Sequence, residues 1–349
     1  MHHLNIDLET RSDEPIAKTG LYKYAQSEKF EILLIGYSLD GAPVQQIDLA
    51  QGEKVPGELL RALSDPDVVK HAYNAAFEWY CLTSCHKNLI PGNPADNLPQ
   101  WRDTMLSCLY CGYPASLDAA GKAMGLPQDK QKLATGKALI KTFCTPHKQT
   151  DNDQREWINP SDEPEKWNLF KEYNRQDVIT EMEIMHRLDN FPVPDDVQVQ
   201  WVQDLILNSR GIYLDKDLME GAIAANDKVM QPLIAEAQQL TGLDNPNSTA
   251  QIKSWMQKQG YQIDTLRKND VADLLSGDKL DNTARRVLKI RQETGKTSVT
   301  KYKAMEQAVC KDNRIRGVLQ FYGANRTGRW AGRLVQVQNF PRTYIPPPL

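Results

Sequence analysis

The chain has 349 residues, of which 40% are hydrophobic and 25% charged, and its formal net charge is −3. This length exceeds the roughly 250–300 residues at which a single core stops growing, so two or three domains are expected, each burying its own interior. No apolar run approaches the 18 or so residues of a membrane span, and Asp7 comes too early for a secretory leader, so a soluble protein of a cytoplasm is expected, with no membrane partner.

In chain order, Leu4 to Glu9 alternates strictly, with Leu4, Ile6 and Leu8 on one side and Asn5, Asp7 and Glu9 on the other, which predicts a strand with one buried face. Glu31 to Leu39 and Val44 to Leu49 are two further strands, joined by the hairpin signal Asp40-Gly41. A short strand at Val68 to His71 precedes a helical pattern from Asn74 to Cys85, and Trp101 to Gly125 reads as broken helical pieces. Thr145 to Glu165 is polar and proline-containing, a surface loop, and a helix is expected from about Glu165 to Leu188. Phe191-Pro192-Val193-Pro194 ends that helix and marks a domain boundary. Beyond it the pattern is helical throughout: Asp217 to Leu240 with a kink expected at Pro232, Gln251 to Gln259 between a Ser248 or Thr249 cap and Gly260, and Asn282 to Val309.

Charge is distributed unevenly. Residues 285–349 hold 14 Lys and Arg against 3 Asp and Glu, a net +11, while residues 1–284 carry −14. A phosphate-binding surface requires such a basic end, and metal-binding carboxylates suit an acidic one. The six cysteines are scattered, and reduced thiols are expected. Cys108 and Cys111 form a lone CxxC, too little for a zinc site, and Cys81 and Cys85 suit helix packing. His71, His86, His147 and His186 share no ligand spacing, and the lysines between Gly121 and Gly136 form no phosphate loop.

Carboxylates that hold two divalent cations must converge from separate elements, because a metal pair roughly 3.5–4 Å apart cannot be surrounded by one strand or helix. Asp7 and Glu9 project side by side from the polar face of the first strand. Asn74 and Glu78 are spaced one helical turn apart, as are Tyr173 and Asp177, and both pairs can face those carboxylates. The three motifs, Asp7-x-Glu9, Asn74-x-x-Phe77-Glu78 and Tyr173-x-x-x-Asp177, resemble in order those of the DEDDy 3′–5′ exonucleases. The resemblance implies a ribonuclease-H-like α/β fold, a mixed sheet flanked by helices. It implies that Asp7 bridges two Mg²⁺ or Mn²⁺ ions, that Glu9 and Asp177 complete one site, and that Tyr173 orients the attacking water. Glu78 stands where that family usually carries Asp, which leaves open direct ligation or ligation through a bridging water. Asn74 and Phe77 are expected to contact DNA.

The C-terminal stretch is an independent signal. Arg326, Arg329 and Arg333 are separated by glycines that let the backbone approach a nucleic acid. Thr327-Gly328-Arg329 followed by Gln338-Asn339-Phe340-Pro341 resembles the segment that opens the palm of family A DNA polymerases, and it implies that Arg326, Thr327, Arg329, Arg333, Gln338 and Asn339 hold a primer-template duplex. Asp204 to Asp215 and Leu243 to Gln251 resemble that family's thumb segments. Over nearly its whole length the chain therefore resembles the front part of a phage-type family A polymerase. The implied layout is a 3′–5′ exonuclease domain at 1–192, an all-helical thumb-like domain at 193–312 and the start of a palm at 313–349, with DNA, as single-stranded 3′ end and duplex, as partner. The palm carboxylates and fingers helix would follow the TGR segment, so this chain is expected not to polymerise alone, and the remaining polymerase portion is a further expected partner. Two other readings compete with a proofreading nuclease: a catalytically idle DNA-binding module of a split polymerase, and a ribonuclease D-like RNA trimmer.

Overall fold

A computed structural model describes residues 2–83, 89–90, 92–131, 135–263, 265–295, 299–324 and 327–340. They fall into two compact units, 2–213 with 308–340, and 214–307.

The first unit begins with β1 (His2–Arg11), α1 (Ile16–Ala25), β2 (Glu31–Leu39) and β3 (Gln45–Asp48). The Asp40-Gly41 reversal has φ of 50° and 75°, and Ala42 N donates to Leu39 O at 2.9 Å, the left-handed turn that suits the twist of an antiparallel pair. Next come α2 (Gly57–Ser64), β4 (Val68–Ala72), α3 (Ala76–Thr83) and β5 (Trp101–Asp103). The five strands form one sheet in the order β3-β2-β1-β4-β5. β1, β2 and β3 pair antiparallel, and β4 and β5 continue parallel. This is a mixed sheet flanked by helices, the α/β arrangement that the motifs implied. β5 lies within the stretch expected to be purely helical. Trp101, fully buried, pairs with Lys70 and extends the sheet by three residues before the chain turns helical.

Three short helices follow, α4 (Thr104–Tyr110), α5 (Leu117–Ala123) and α6 (Gly136–Phe143), and then, after the loop expected at 145–165, the long α7 (Pro164–Leu188). α7 crosses the sheet over β1 and β2. This overturns the expectation of a single buried face on β1. Leu4, Ile6 and Leu8 enter the main core, but Asn5 and Glu9 on the other side are also buried, at 1% and 8% exposure. The polar face persists because α7 brings polar groups to it, among them Asn174, Asp177 and Glu181.

The chain then runs through α8 (Asp195–Arg210) and β6 (Ile212–Tyr213). α8 packs Trp201 and Leu205 into the main core. The same unit is completed by β7 (Arg314–Ile315), paired with β6, and by the hairpin of β8 (Leu319–Ala324) and β9 (Arg329–Gly332).

The second unit consists of α9 (Lys216–Thr241), α10 (Thr249–Lys258), α11 (Lys268–Ser276), α12 (Asn282–Thr294) and α13 (Thr300–Ala308). Its core gathers Ile252, Trp255, Met256, Val271, Val287 and Leu288. Arg286 of α12 forms a two-pronged pair with Glu236 of α9 at 2.6 and 2.7 Å. α10 follows the expected caps, with Ser248 accepting from Gln251 N and Gly260 at φ 88°. The helix expected from Asn282 to Val309 is instead two helices, α12 ending at Gly295, whose missing side chain favours termination. Among the described residues no helix is long and apolar enough to cross a membrane.

Candidate metal centre

β1 places Asp7 and Glu9 on the face covered by α7, and α7 lowers Tyr173 and Asp177 onto them from successive turns. One carboxylate oxygen each from Asp7, Glu9 and Asp177 lies within 4.8 Å of the others, so residues far apart in sequence meet at one point. Asp177 is 4% exposed and Tyr173 3%. The Tyr173 ring stacks on Phe170 with centroids 6.1 Å apart. Burial first, then the charges of Asp177, Glu9 and Asp7, push its phenol far above the ordinary range, so it stays protonated.

Glu78 stands in the first turn of α3, buried at 3% exposure and outside the group of three. Burial, and next the neighbouring Asp7 charge, raise its carboxyl well above the usual range, and its Oε2 has no hydrogen-bond partner among the described residues. A cation within reach would favour its ionised form and draw the carboxyl back down.

Asn74 does not share a helical turn with Glu78, as its spacing suggested. It has φ 72°, in the left-handed region that asparagine tolerates, and α3 starts after it at Ala76. The reason is Asp103, whose Oδ1 accepts from Asn74 N at 2.9 Å and also from Met105 N, so one carboxylate closes the β4–α3 turn and caps α4. Burial raises the Asp103 carboxyl to about 6. Phe77 packs half-buried on the main core, 6.3 Å from Tyr24.

In the β8–β9 hairpin, Arg329 is exposed and donates Nε to Thr327 Oγ1 at 3.2 Å. Arg333 is exposed and, with Asn74, Phe77 and Asp103, lines a cleft of about 670 Å³. Gln338 lies flat on the Gly332 backbone, where a Cβ would come within 2.2 Å of its Oε1, and Asn339 donates to Gln336 Oε1 at 3.0 Å. Arg326 lies outside the described residues. The hairpin is held by Asp204 of α8, buried, which accepts from Trp330 Nε1 at 2.8 Å and from Phe321 N at 3.2 Å.

Several residues of the site carried no sequence signal of their own. Asn174 sits inside the third motif and donates Nδ2 to Asp7 Oδ2 at 2.7 Å. Glu181, one turn past Asp177, accepts from Asn5 Nδ2 at 2.7 Å and from the Thr104 hydroxyl. Burial lifts its carboxyl to about 7. Periodicity from Asp177 places Glu181 on the same helix face, but nothing in sequence supplies its partners. Cys108 and Cys111 are both free thiols, as are the other described cysteines.

Along nearly its whole length, then, this chain is similar to a phage DNA polymerase. It is 48% identical over 347 residues, 99% of its length, to the DNA polymerase of Bacillus phage SP02, of which it spans 52%. It thus covers about half of that curated relative. Among solved structures it is similar to the polymerase domain of Pol1 from M. smegmatis, in complex with DNA primer-template and dNTP, with a TM-score of 0.51 and 14% identity, over 98% of this chain and 53% of that one. Brucella melitensis NrnC bound to pGG aligns over 57% of the chain with a TM-score of only 0.27, too low to establish a common fold. No known protein-family profile matches the chain.

Proposed function

We propose that the chain is the metal-dependent 3′–5′ exonuclease portion of a family A DNA polymerase, removing nucleotides from DNA 3′ ends during replication. The observation that carries this reading is the meeting of Asp7, Glu9 and Asp177 within 4.8 Å beneath the phenol of Tyr173. The donors are all carboxylate oxygens, the hard ligand set that suits Mg²⁺ or Mn²⁺ and not a thiolate or imidazole metal. Asp7, Glu9 and Asp177 would hold one ion, and Asp7 with Glu78 a second. Two such ions, when bound, supply Lewis acidity at the phosphate and lower the pKa of a water molecule.

The chain's own groups do the positioning. Tyr173, protonated at neutral pH, offers its hydroxyl to orient the attacking water, while the surrounding rings limit its movement. Asn74, Phe77 and Arg333 share one cleft and suit a strand end, an arginine for phosphate and an aromatic for a base. Hydrolysis adds one water across the P–O3′ bond, leaving a 3′ hydroxyl on the shortened strand and a phosphate on the released nucleotide. The basic hairpin, Arg329 and Arg333, supports duplex binding, as does the likeness to a polymerase domain bound to primer-template.

Strands labelled at the 3′ or the 5′ end test the polarity. With Mg²⁺, single-stranded DNA is expected to release 3′ label at once and to shorten progressively from that end. Faster trimming of RNA would favour the ribonuclease D-like reading, and DNA binding without digestion would favour the idle module.

A further inference from the structure

Asn174 is completely buried in the turn of α7 that carries Tyr173 and Asp177, and the exonuclease reading gives it no task. Its Nδ2 donates to Asp7 Oδ2 at 2.7 Å and to the Asp7 backbone carbonyl at 3.2 Å. Its Oδ1 accepts from Gln46 Nε2 at 3.0 Å, and that same nitrogen donates to Lys171 O at 2.7 Å. An amide flip would set Nδ2 against the Gln46 donor and Oδ1 against the Asp7 carboxylate, losing both bonds, so the chain Gln46–Asn174–Asp7 has one stable polarity. Space for it is provided by Gly36, directly opposite Asp7 in the β1–β2 register. A Cβ there would stand 2.8 Å from Asn174 Oδ1 and 3.1 Å from Val178 Cγ2.

We propose that Gln46 and Asn174 form a positioning relay that orients the Asp7 carboxylate toward Glu9 and Asp177 before a divalent cation arrives. The inference rests on the metal-site reading above. A neutral amide is suited to this task, because it fixes the rotamer of Asp7 without cancelling the charge that attracts the cation, as a lysine would. Groups that orient metal ligands in this way typically contribute about 10–100-fold to metal affinity.

The test is Mn²⁺ binding to the whole chain without DNA, followed by the electron paramagnetic resonance of free Mn²⁺, with Asp7→Ala as reference. Asn174→Ala is expected to weaken binding about 10–100-fold. Gln46→Leu, on the edge strand and out of reach of the ion, is expected to weaken it by a smaller factor with little change in melting temperature. The double variant is expected to be no weaker than Asn174→Ala alone, since Gln46 acts only through Asn174. Should Asn174→Ala fail to fold, Gln46→Leu decides by itself. Wild-type affinity in both single variants, with binding lost in Asp7→Ala, would overturn the relay and leave the metal site standing. Additive losses in the double variant would also overturn it, and a wild type binding no more Mn²⁺ than Asp7→Ala would remove the metal reading together with the relay.

Discussion

Gly136 and Tyr173 approach so closely that no side chain fits between them: a Cβ on Gly136 would lie 2.1 Å from Cε2 of the tyrosine ring. The start of α6 therefore acts as a wall behind the phenol. Gly136→Ala should push the ring off its position above the carboxylates and lower the nuclease turnover by roughly 10-fold, at a stability cost of about 1–3 kcal/mol from overpacking. In a Tyr173→Phe background the same change should reduce turnover little further, because the hydroxyl it displaces is already gone. Steady-state rates of the two single variants and the double measure this.

Glu181 predicts a pH dependence of stability. An unfolded glutamate releases its proton near 4.5, whereas the buried one holds it to about 7. Folding thus favours the protonated form, and the stability linked to this group is full below the lower value and declines as pH rises through the upper one. Glu181→Gln, which mimics the protonated acid, should match the wild type near pH 4.5 and become the more stable of the two by pH 8. Urea midpoints across that range, taken without divalent metal, check the sign.

Arg329 and Arg333 are exposed on the hairpin and its exit. If each neutralises a phosphate, Arg329→Ala and Arg333→Ala should each reduce the slope of log affinity against log salt for duplex DNA by about 0.9. Titration by fluorescence anisotropy at several salt concentrations gives the slope. An unchanged slope would take these side chains out of the DNA contact.

Asp204 fastens the hairpin through Trp330 and Phe321. Asp204→Ala leaves a buried backbone N–H without its acceptor, a cost of about 1–3 kcal/mol. The expected outcome is a red-shifted contribution from Trp330 to the emission and weaker duplex binding, read by fluorescence and anisotropy.

Much of the site was legible because its chemistry is tied to regular periods. The alternation of β1 put Asp7 and Glu9 side by side, and the helical spacing in α7 did the same for Tyr173 and Asp177. What sequence could not supply was the partner of each face. The polar side of β1 was legible as a pocket that the Tyr173 and Asp177 pair could face, but only the fold shows α7 covering it with Asn174 and Glu181 as well. Local rules also misread Asn74: its spacing to Glu78 fits a helix, but Asp103, from a distant segment, captures its N–H and holds it in a left-handed turn. Likewise Trp101 belongs to a sheet because β4 offers it an edge, a tertiary effect that propensity does not encode.

The central expectation is that the cluster beneath Tyr173 hydrolyses DNA. The direct measurement is the rate of mononucleotide release from the 3′ end of single-stranded DNA by the wild type and by Asp7→Ala, each with Mg²⁺ and with chelator. The wild type is expected to digest only with metal, and Asp7→Ala to lose on the order of 10³-fold or more while keeping its fold by circular dichroism. A variant as fast as the wild type, or digestion that persists in chelator, would contradict it.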